Sequence, residues 1–262
     1  MIRHATLLIV LLVVPLTGCS KSQGTIRLTV MTYNIHHGEG MDKKLDLERI
    51  AGVIRAANAD FVALQEVDRG ASRTGGIDQI AELARLTGME PAYAPAMDFQ
   101  DGQYGNAILT KLPLLFTTAV PLPYKPGGRR EPRVAAVSQL WLSTTERLYL
   151  VSAHLDHTAD PSDRLTQAQA INAKLGEGSA PTILAGDFNC EPGSPPMVEL
   201  AKRWTLMSGG GHSYPSKPPH KSIDHVLVRP AERWRVSETR VIDERVASDH
   251  RPVLVKLELL AD

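Results

Sequence analysis

Ile26, Leu28 and Val30 alternate with Arg27, Thr29 and Met31, the period of a half-buried strand, and the run closes on Tyr33 and Asn34. From Leu45 to Ala57 the apolar positions Leu45, Ile50, Val53, Ile54 and Ala57 move to helical spacing, with Asp46 and Glu48 in the first turn. Phe61 to Leu64 is a short apolar strand ending at Gln65 and Glu66. Asp78 is placed to cap a helix that runs through Thr87 and stops at Gly88. Strand-like runs follow at Gly105 to Thr110, Leu114 to Val120, Val134 to Leu142 and Leu148 to His154. A helix is expected from Ser162 or Asp163 to Leu175, a strand over Thr182 to Ala185, and a short helix over Met197 to Lys202. Ser208 to Pro219, rich in Gly, Pro and Ser, reads as a mobile loop, before three last strands at His225 to Val228, Arg235 to Ile242 and Val253 to Leu259. Strands outnumber helices, several are joined by short turns, and no sequence repeat or long linker divides the chain. The pattern predicts one α/β (α+β) domain over residues 26–260, with mixed or antiparallel sheets packed face to face and helices outside.

The first residues change the picture of where the protein works. Arg3 and His4 precede the apolar run Leu7 to Leu16, too short for a comfortable membrane span, and Leu16-Thr17-Gly18-Cys19 resembles a bacterial lipobox. That resemblance implies a signal peptide over 1–18, a lipid on the Cys19 thiol, and a tether over 19–25. The expected product is exported and anchored to a membrane, with Ser20 leaning towards the outer membrane, cell surface or periplasm. With Cys19 lipidated, Cys190 is left without a disulfide partner and reads as a buried thiol. Of the 262 residues 43% are hydrophobic and 22% charged, and the formal net charge is +0, so no global field draws the protein to nucleic acid.

The candidate chemistry sits at the strand ends. Asn34, Glu66, His154, Asp187 and Asn189 close successive strands, and Asp224 and Asp249-His250 directly precede two others. Each has a plain reading alone: a turn amide, a surface carboxylate, an Asx turn at Asp187-Phe188-Asn189, a loop salt bridge. Their repeated placement at strand ends points instead to one shared rim. Carboxylates and amides without a CxxC pair or HExxH argue against zinc and for Mg²⁺ or Mn²⁺, which takes one or two carboxylates with phosphate and water. Glu66 and Asp249 could supply the carboxylates, Asp187 and Asn189 could orient a water, and Asp224 could fix the tautomer of His250. Such a set suits metal-assisted attack of water on a phosphate ester.

Seven segments in order carry a family resemblance: Met31-Thr32-Tyr33-Asn34-Ile35, Ala63-Leu64-Gln65-Glu66-Val67, Tyr104-Gly105-Asn106-Ala107-Ile108-Leu109, Ser152-Ala153-His154-Leu155, Gly186-Asp187-Phe188-Asn189, Ser222-Ile223-Asp224-His225 and Ser248-Asp249-His250-Arg251-Pro252. Together they resemble the endonuclease/exonuclease/phosphatase superfamily, with its DNase I-like fold. The resemblance implies a four-layer α/β sandwich with two central sheets, and metal-dependent phosphoester hydrolysis. It implies Glu66 as chief metal ligand with Asn34 beside it and Asp249 completing the set, and His250 paired with Asp224. It places Asp187 on the attacking water, Asn189, His154 and Arg133 on the phosphate, and Asn106 with them or supporting them. Whether Asp187 or His250 is the base stays open. If His250 is the base, activity should fall as the ring protonates on the acid side.

The substrate is less defined. A nuclease acting on DNA is one alternative, but only Lys125 to Arg133 is densely basic, and three Trp and four Phe make a poor stacking platform. Nucleic acid, a phospholipid head group or a small phosphate ester all remain as substrates for an enzyme expected to act as a monomer. A non-catalytic phosphate-binding scaffold lipoprotein is the reading from another class.

Overall fold

A computed structural model describes residues 25–127, 130–142, 146–209 and 211–261. The leader, Cys19 and the tether up to residue 24 lie outside the described residues, as does Arg129 of the basic run. In chain order the elements are β1 (Ile26–Asn34), α1 (Leu47–Ala57), β2 (Phe61–Arg69), α2 (Gln79–Thr87), β3 (Glu90–Phe99), β4 (Gly102–Thr110), β5 (Leu114–Leu122), β6 (Arg133–Trp141), β7 (Arg147–His154), α3 (Ser162–Leu175), β8 (Thr182–Asp187), α4 (Pro195–Leu200), β9 (Thr205–Leu206), β10 (Asp224–Arg229), β11 (Trp234–Val241) and β12 (Val253–Leu259). No helix among the described residues is long and apolar enough to cross a membrane.

Two six-stranded sheets form, in the orders β11-β12-β1-β2-β4-β3 and β5-β6-β7-β8-β10-β9. Each is antiparallel apart from one internal parallel pair, β1 with β2 and β7 with β8. A parallel pair needs a long crossover, and α1 and α3 supply it, so the two halves share a β-α-β unit that leaves no trace as a sequence repeat. Period-two alternation then divides each strand's side chains between two cores. Leu28 and Val30 of β1 join Ala63, Ile108, Ala136, Leu150, Ile183 and Val226 between the sheets. Met31 and Tyr33 face the other way, onto Ile50 and Ile54 of α1 and Ile80 and Leu83 of α2. On the far side, Val151 and Leu184 pack on Ala168 and Ile171 of α3 and Met197 and Leu200 of α4. The result is the expected four layers, helix, sheet, sheet, helix.

Local signals explain most boundaries. The Asp46 carboxylate accepts from Arg49 N–H at 2.9 Å and starts α1, and Asp78 does the same for α2 through Ala81 N–H at 3.1 Å. Gly88, at φ 71°, ends α2. Two strands went unforeseen. β3 carries Pro91 and Pro95, which break the strand signal, and it survives because it lies at a sheet edge where a missing N–H costs little. β9 is two residues long. Of the stretch Ser208 to Pro219, the described residues 211–219 are not a free loop. Ser216 N–H donates to Asp249 O at 2.6 Å, and Arg251 N–H to Ser213 O at 2.7 Å, which pins them over the strand ends.

Candidate active site

The space between the sheets is apolar along most of its length and turns polar at one end. The residues that continue the inward-facing alternation there are Thr32 and Asn34 on β1, Gln65 on β2, Ser152 and His154 on β7, Asp187 on β8 and Asp224 on β10, all buried. Some of them bond across the sheets: Gln65 Nε2 donates to Ser152 Oγ at 3.1 Å, and Ser152 Oγ to Leu64 O at 3.0 Å. The two parallel pairs bring their carboxyl ends together here. Asn34 lies in register with Gln65, and His154 with Asp187. Gly186, opposite Ala153, permits this approach, because a Cβ there would run into the Ala153 backbone.

Asp187 is the centre of the cluster. Its Oδ1 accepts from Asn189 N–H at 2.9 Å, so the Asx turn foreseen as the plain reading does form. That turn aims Oδ2 at three groups: Asn34 Nδ2 at 3.1 Å, His154 Nε2 at 3.5 Å and His250 Nε2 at 3.6 Å. Burial, reinforced by repulsion from Asp224, raises the Asp187 carboxyl to about 7. Burial alone would depress the His250 ring, but Asp224 and Asp187 outweigh it and lift the ring to about 10. The Asp224 contact is direct, His250 Nδ1 to Asp224 Oδ2 at 2.9 Å, and the Tyr214 ring lies against the imidazole with centroids 4.6 Å apart. His154 behaves oppositely. Burial, with Arg133, His250 and His157 adding to it, pushes its ring well below the usual imidazole range. Donors face both ring nitrogens, the Arg133 guanidinium at 3.3 Å from Nδ1 and Asn189 Nδ2 at 3.1 Å from Nε2.

Glu66 reaches the site by another route. It is one residue out of phase with Phe61, Ala63 and Gln65. The β2–β4 register shifts between Leu64 and Val67, and Glu66 itself sits at φ 58°. The bulge turns its carboxylate into a cavity of about 570 Å³, whose walls also include Asp249, Asp187, Asn189, His250 and Arg133. Glu66 Oε1 accepts from Asn34 Nδ2 at 2.9 Å. Oxygen donors from Glu66 and Asp249 beside open space are a fitting set for Mg²⁺ or Mn²⁺.

A model of the Endonuclease/Exonuclease/phosphatase family matches residues 31–250. The chain belongs to the endonuclease/exonuclease/phosphatase family. Members are generally hydrolases of phosphoester bonds and typically depend on a divalent metal. Among solved structures, an endonuclease/exonuclease/phosphatase from Beutenbergia cavernae DSM 12333 superposes with TM-score 0.73 at 24% identity, over 90% of this chain and 72% of that one. One from Bacteroides vulgatus gives 0.74 at 20%, over 89% and 99%. A mannosyl-6-phosphatase from Bacteroides thetaiotaomicron VPI-5482 gives 0.72 at 20%, over 88% and 99%. At these identities the likeness is one of fold. No curated protein matches the sequence.

Within this family member, the expected residues fall at different depths. Glu66, Arg133, His154, Asp187, Asn189, Asp249 and His250 line the cavity, while Asp224 stands behind His250. Asn106, expected either on the phosphate or supporting the groups that are, is buried between the sheets with Nδ2 donating to Val134 O at 2.7 Å; it ties β4 to β6 and does not line the cavity, which leaves only the supporting place. Asn34, expected among the metal ligands, offers its amide nitrogen to both Glu66 and Asp187, and its oxygen is occupied by His36 N–H at 3.0 Å. It spaces two carboxylates that would otherwise repel. Asn189 Nδ2 donates to Leu155 O at 3.1 Å, so a phosphate must compete for it. Sequence reasoning missed Tyr214, Lys221, His157 and Arg164, which line the cavity from loops and from α3. Loop residues carry no periodicity that would mark them.

Proposed function

We propose that the protein is a divalent-metal-dependent phosphoesterase that takes small phosphate esters. The observation that carries this is the convergence of Asn34, His154 and His250 on Asp187 Oδ2, in the wall of a cavity that also exposes Glu66 and Asp249. Glu66 and Asp249 would hold the cation, which when bound would polarise the phosphoryl oxygens. Asp187, with its carboxyl raised to about 7, is suited to take a proton from the attacking water. His250, held as a cation by Asp224, is suited to neutralise charge developing on phosphate rather than to act as a neutral base. Arg133 presents donors to the same space, beside a His154 ring that burial keeps neutral.

The walled cavity supports a small ester over a duplex. Met97, Phe99 and Tyr104 are among its lining residues, as are His157 and Thr158. Two arginines of the basic run that might have tracked a nucleic-acid backbone are already engaged or buried. Arg130 pairs with Asp160 and Asp163 at 2.8 and 2.9 Å, and Arg133 is buried. A phosphatase among the structural neighbours, the mannosyl-6-phosphatase, makes sugar phosphates the first substrates to try. The test is a panel of sugar phosphates, p-nitrophenyl phosphate, bis-p-nitrophenyl phosphate, sphingomyelin and supercoiled plasmid, each with Mg²⁺ or Mn²⁺. Preferred release from the small esters is expected; plasmid nicking as the fastest reaction would overturn the substrate reading. Metal-dependent thermal stabilisation without turnover on any of them would favour a phosphate-binding scaffold. We further propose export and tethering through lipid on Cys19, checked by radiolabelled palmitate incorporation that disappears in Cys19→Ala.

A further inference from the structure

Beside the carboxylate end of the cavity lies a second donor cluster. One donor atom from each of His36, His37 and Glu66 falls within 4.8 Å of the others. The backbone goes to unusual lengths to bring them together. His36, His37 and Glu66 have φ of 46°, 43° and 58°, a left-handed region that non-glycine residues seldom enter. Such conformations cluster where a function demands them. The histidine pair follows β1 after Ile35, and Gln79 Nε2 holds the turn by donating to His37 O at 2.6 Å.

The donors are also prepared. His36 Nδ1 faces Glu39 O at 3.0 Å, so Nδ1 carries the hydrogen and Nε2 keeps its lone pair. A ring nitrogen donating to a carbonyl behind it is the usual support of a metal-bound histidine. His37 Nδ1 is buried with no hydrogen-bond partner. A buried ring nitrogen without a partner is costly unless something occupies it. Glu66 Oε1 is engaged by Asn34, which leaves Oε2 for a further ligand.

We propose that His36, His37 and Glu66 form a second cation site, distinct in chemistry from the oxygen-only pair Glu66 and Asp249, with Glu66 shared between the two. Two imidazoles and one carboxylate suit borderline first-row ions, Fe²⁺ through Zn²⁺, and suit Mg²⁺ and Mn²⁺ poorly. In a tetrahedral site with bonds of about 2.1 Å the donors stand about 3.4 Å apart, so small side-chain rotations close the cluster on an ion. The inference rests on the phosphoesterase reading only through Glu66. Binding is read with the metal alone, so hydrolysis can fail while the histidines still bind, and the reverse.

The experiment strips the full chain with chelator and adds Co²⁺ without substrate, following the visible absorption of histidine-bound cobalt. The wild type and Asp249→Asn are expected to show it, and the double variant His36→Asn, His37→Asn to bind at least 100-fold more weakly. Asparagine tolerates the left-handed backbone, so this variant keeps the turn. Millimolar Mg²⁺ should not displace the ion. Equal Co²⁺ affinity in the double variant, or displacement by Mg²⁺, would overturn the proposal. A second measurement needs no variant. Substoichiometric Zn²⁺ should shift two histidine imidazole NMR signals that are lost in the single variants His36→Asn and His37→Asn, and unshifted signals would overturn it equally.

Discussion

His250 Nδ1 lies 2.9 Å from Asp224 Oδ2, with both side chains buried where β10 meets the loop before β12. The contact fixes which ring nitrogen faces the cavity and supplies the negative charge that keeps the ring a cation. Replacing Asp224 by Asn keeps an acceptor but removes the charge. We expect kcat to fall about 10–100-fold with KM changed little, because the loss is of charge stabilisation in the transition state. Asp224→Ala should also cost about 3–5 kcal/mol of stability, the cost of stranding one partner of a buried pair. Steady-state kinetics and denaturant melts of both variants check this; wild-type kcat in Asp224→Asn would remove the pair from the mechanism.

His250 and Asp187 together predict how stability depends on pH. The His250 ring is raised from 6.5 to about 10 in the fold, so its contribution is complete below about pH 6.5 and lost as pH climbs to about 10. Asp187 is raised from 3.8 to about 7, so the fold disfavours its ionised form and stability erodes as pH rises from about 4 to 7. Both effects run the same way. In chelator, the melting temperature of the wild type should fall towards that of His250→Gln between pH 6.5 and 10. A gap between the two that stays constant over that window would refute the assignment.

Gly186→Ala should damage the fold more than a surface change. The added methyl meets the backbone of Ala153 across the parallel β7–β8 pair, where neither strand can yield without moving His154 or Asp187. A loss of at least 1–3 kcal/mol is expected, roughly the cost of overpacking a core. A variant within about 0.5 kcal/mol of wild type would show that the strands do not approach so closely.

Cys190 is expected to be chemically silent. It packs with Phe188, Met197 and Leu200, and burial pushes its thiol up to about 11. Iodoacetamide at pH 8 should leave it unmodified in the native protein and alkylate it after denaturation. Cys190→Ala should keep turnover within about twofold. Rapid native alkylation accompanied by inactivation would contradict the structural role.

Much of this site could be read before the structure because it obeys strand parity. Leu28, Val30, Thr32 and Asn34 share one face, as do Ile183, Ala185 and Asp187, so apolar positions that give way to polar ones mark where the inter-sheet core ends. Asp224 ahead of Val226 and Val228 reads the same way from the other direction. What escaped was what parity does not govern. Glu66 enters through a bulge and a left-handed backbone, which sequence spacing does not display. Tyr214 reaches His250 from a Gly/Pro/Ser stretch that looked mobile and is held instead by backbone bonds to Asp249 and Arg251. Asn106 had the right neighbours in sequence but the wrong depth, since its strand buries it between the sheets. The edge strand β3 was hidden by prolines that only an edge tolerates.

The most direct test of the central claim is the turnover of p-nitrophenyl phosphate or a sugar phosphate against Mg²⁺ and Mn²⁺ concentration, for wild type and Asp187→Asn. Hydrolysis that requires the cation, with kcat lowered about 10²–10⁴-fold in an Asp187→Asn variant that remains folded, is the predicted result. Turnover that survives chelation, or an Asp187→Asn variant as fast as the wild type, would contradict it.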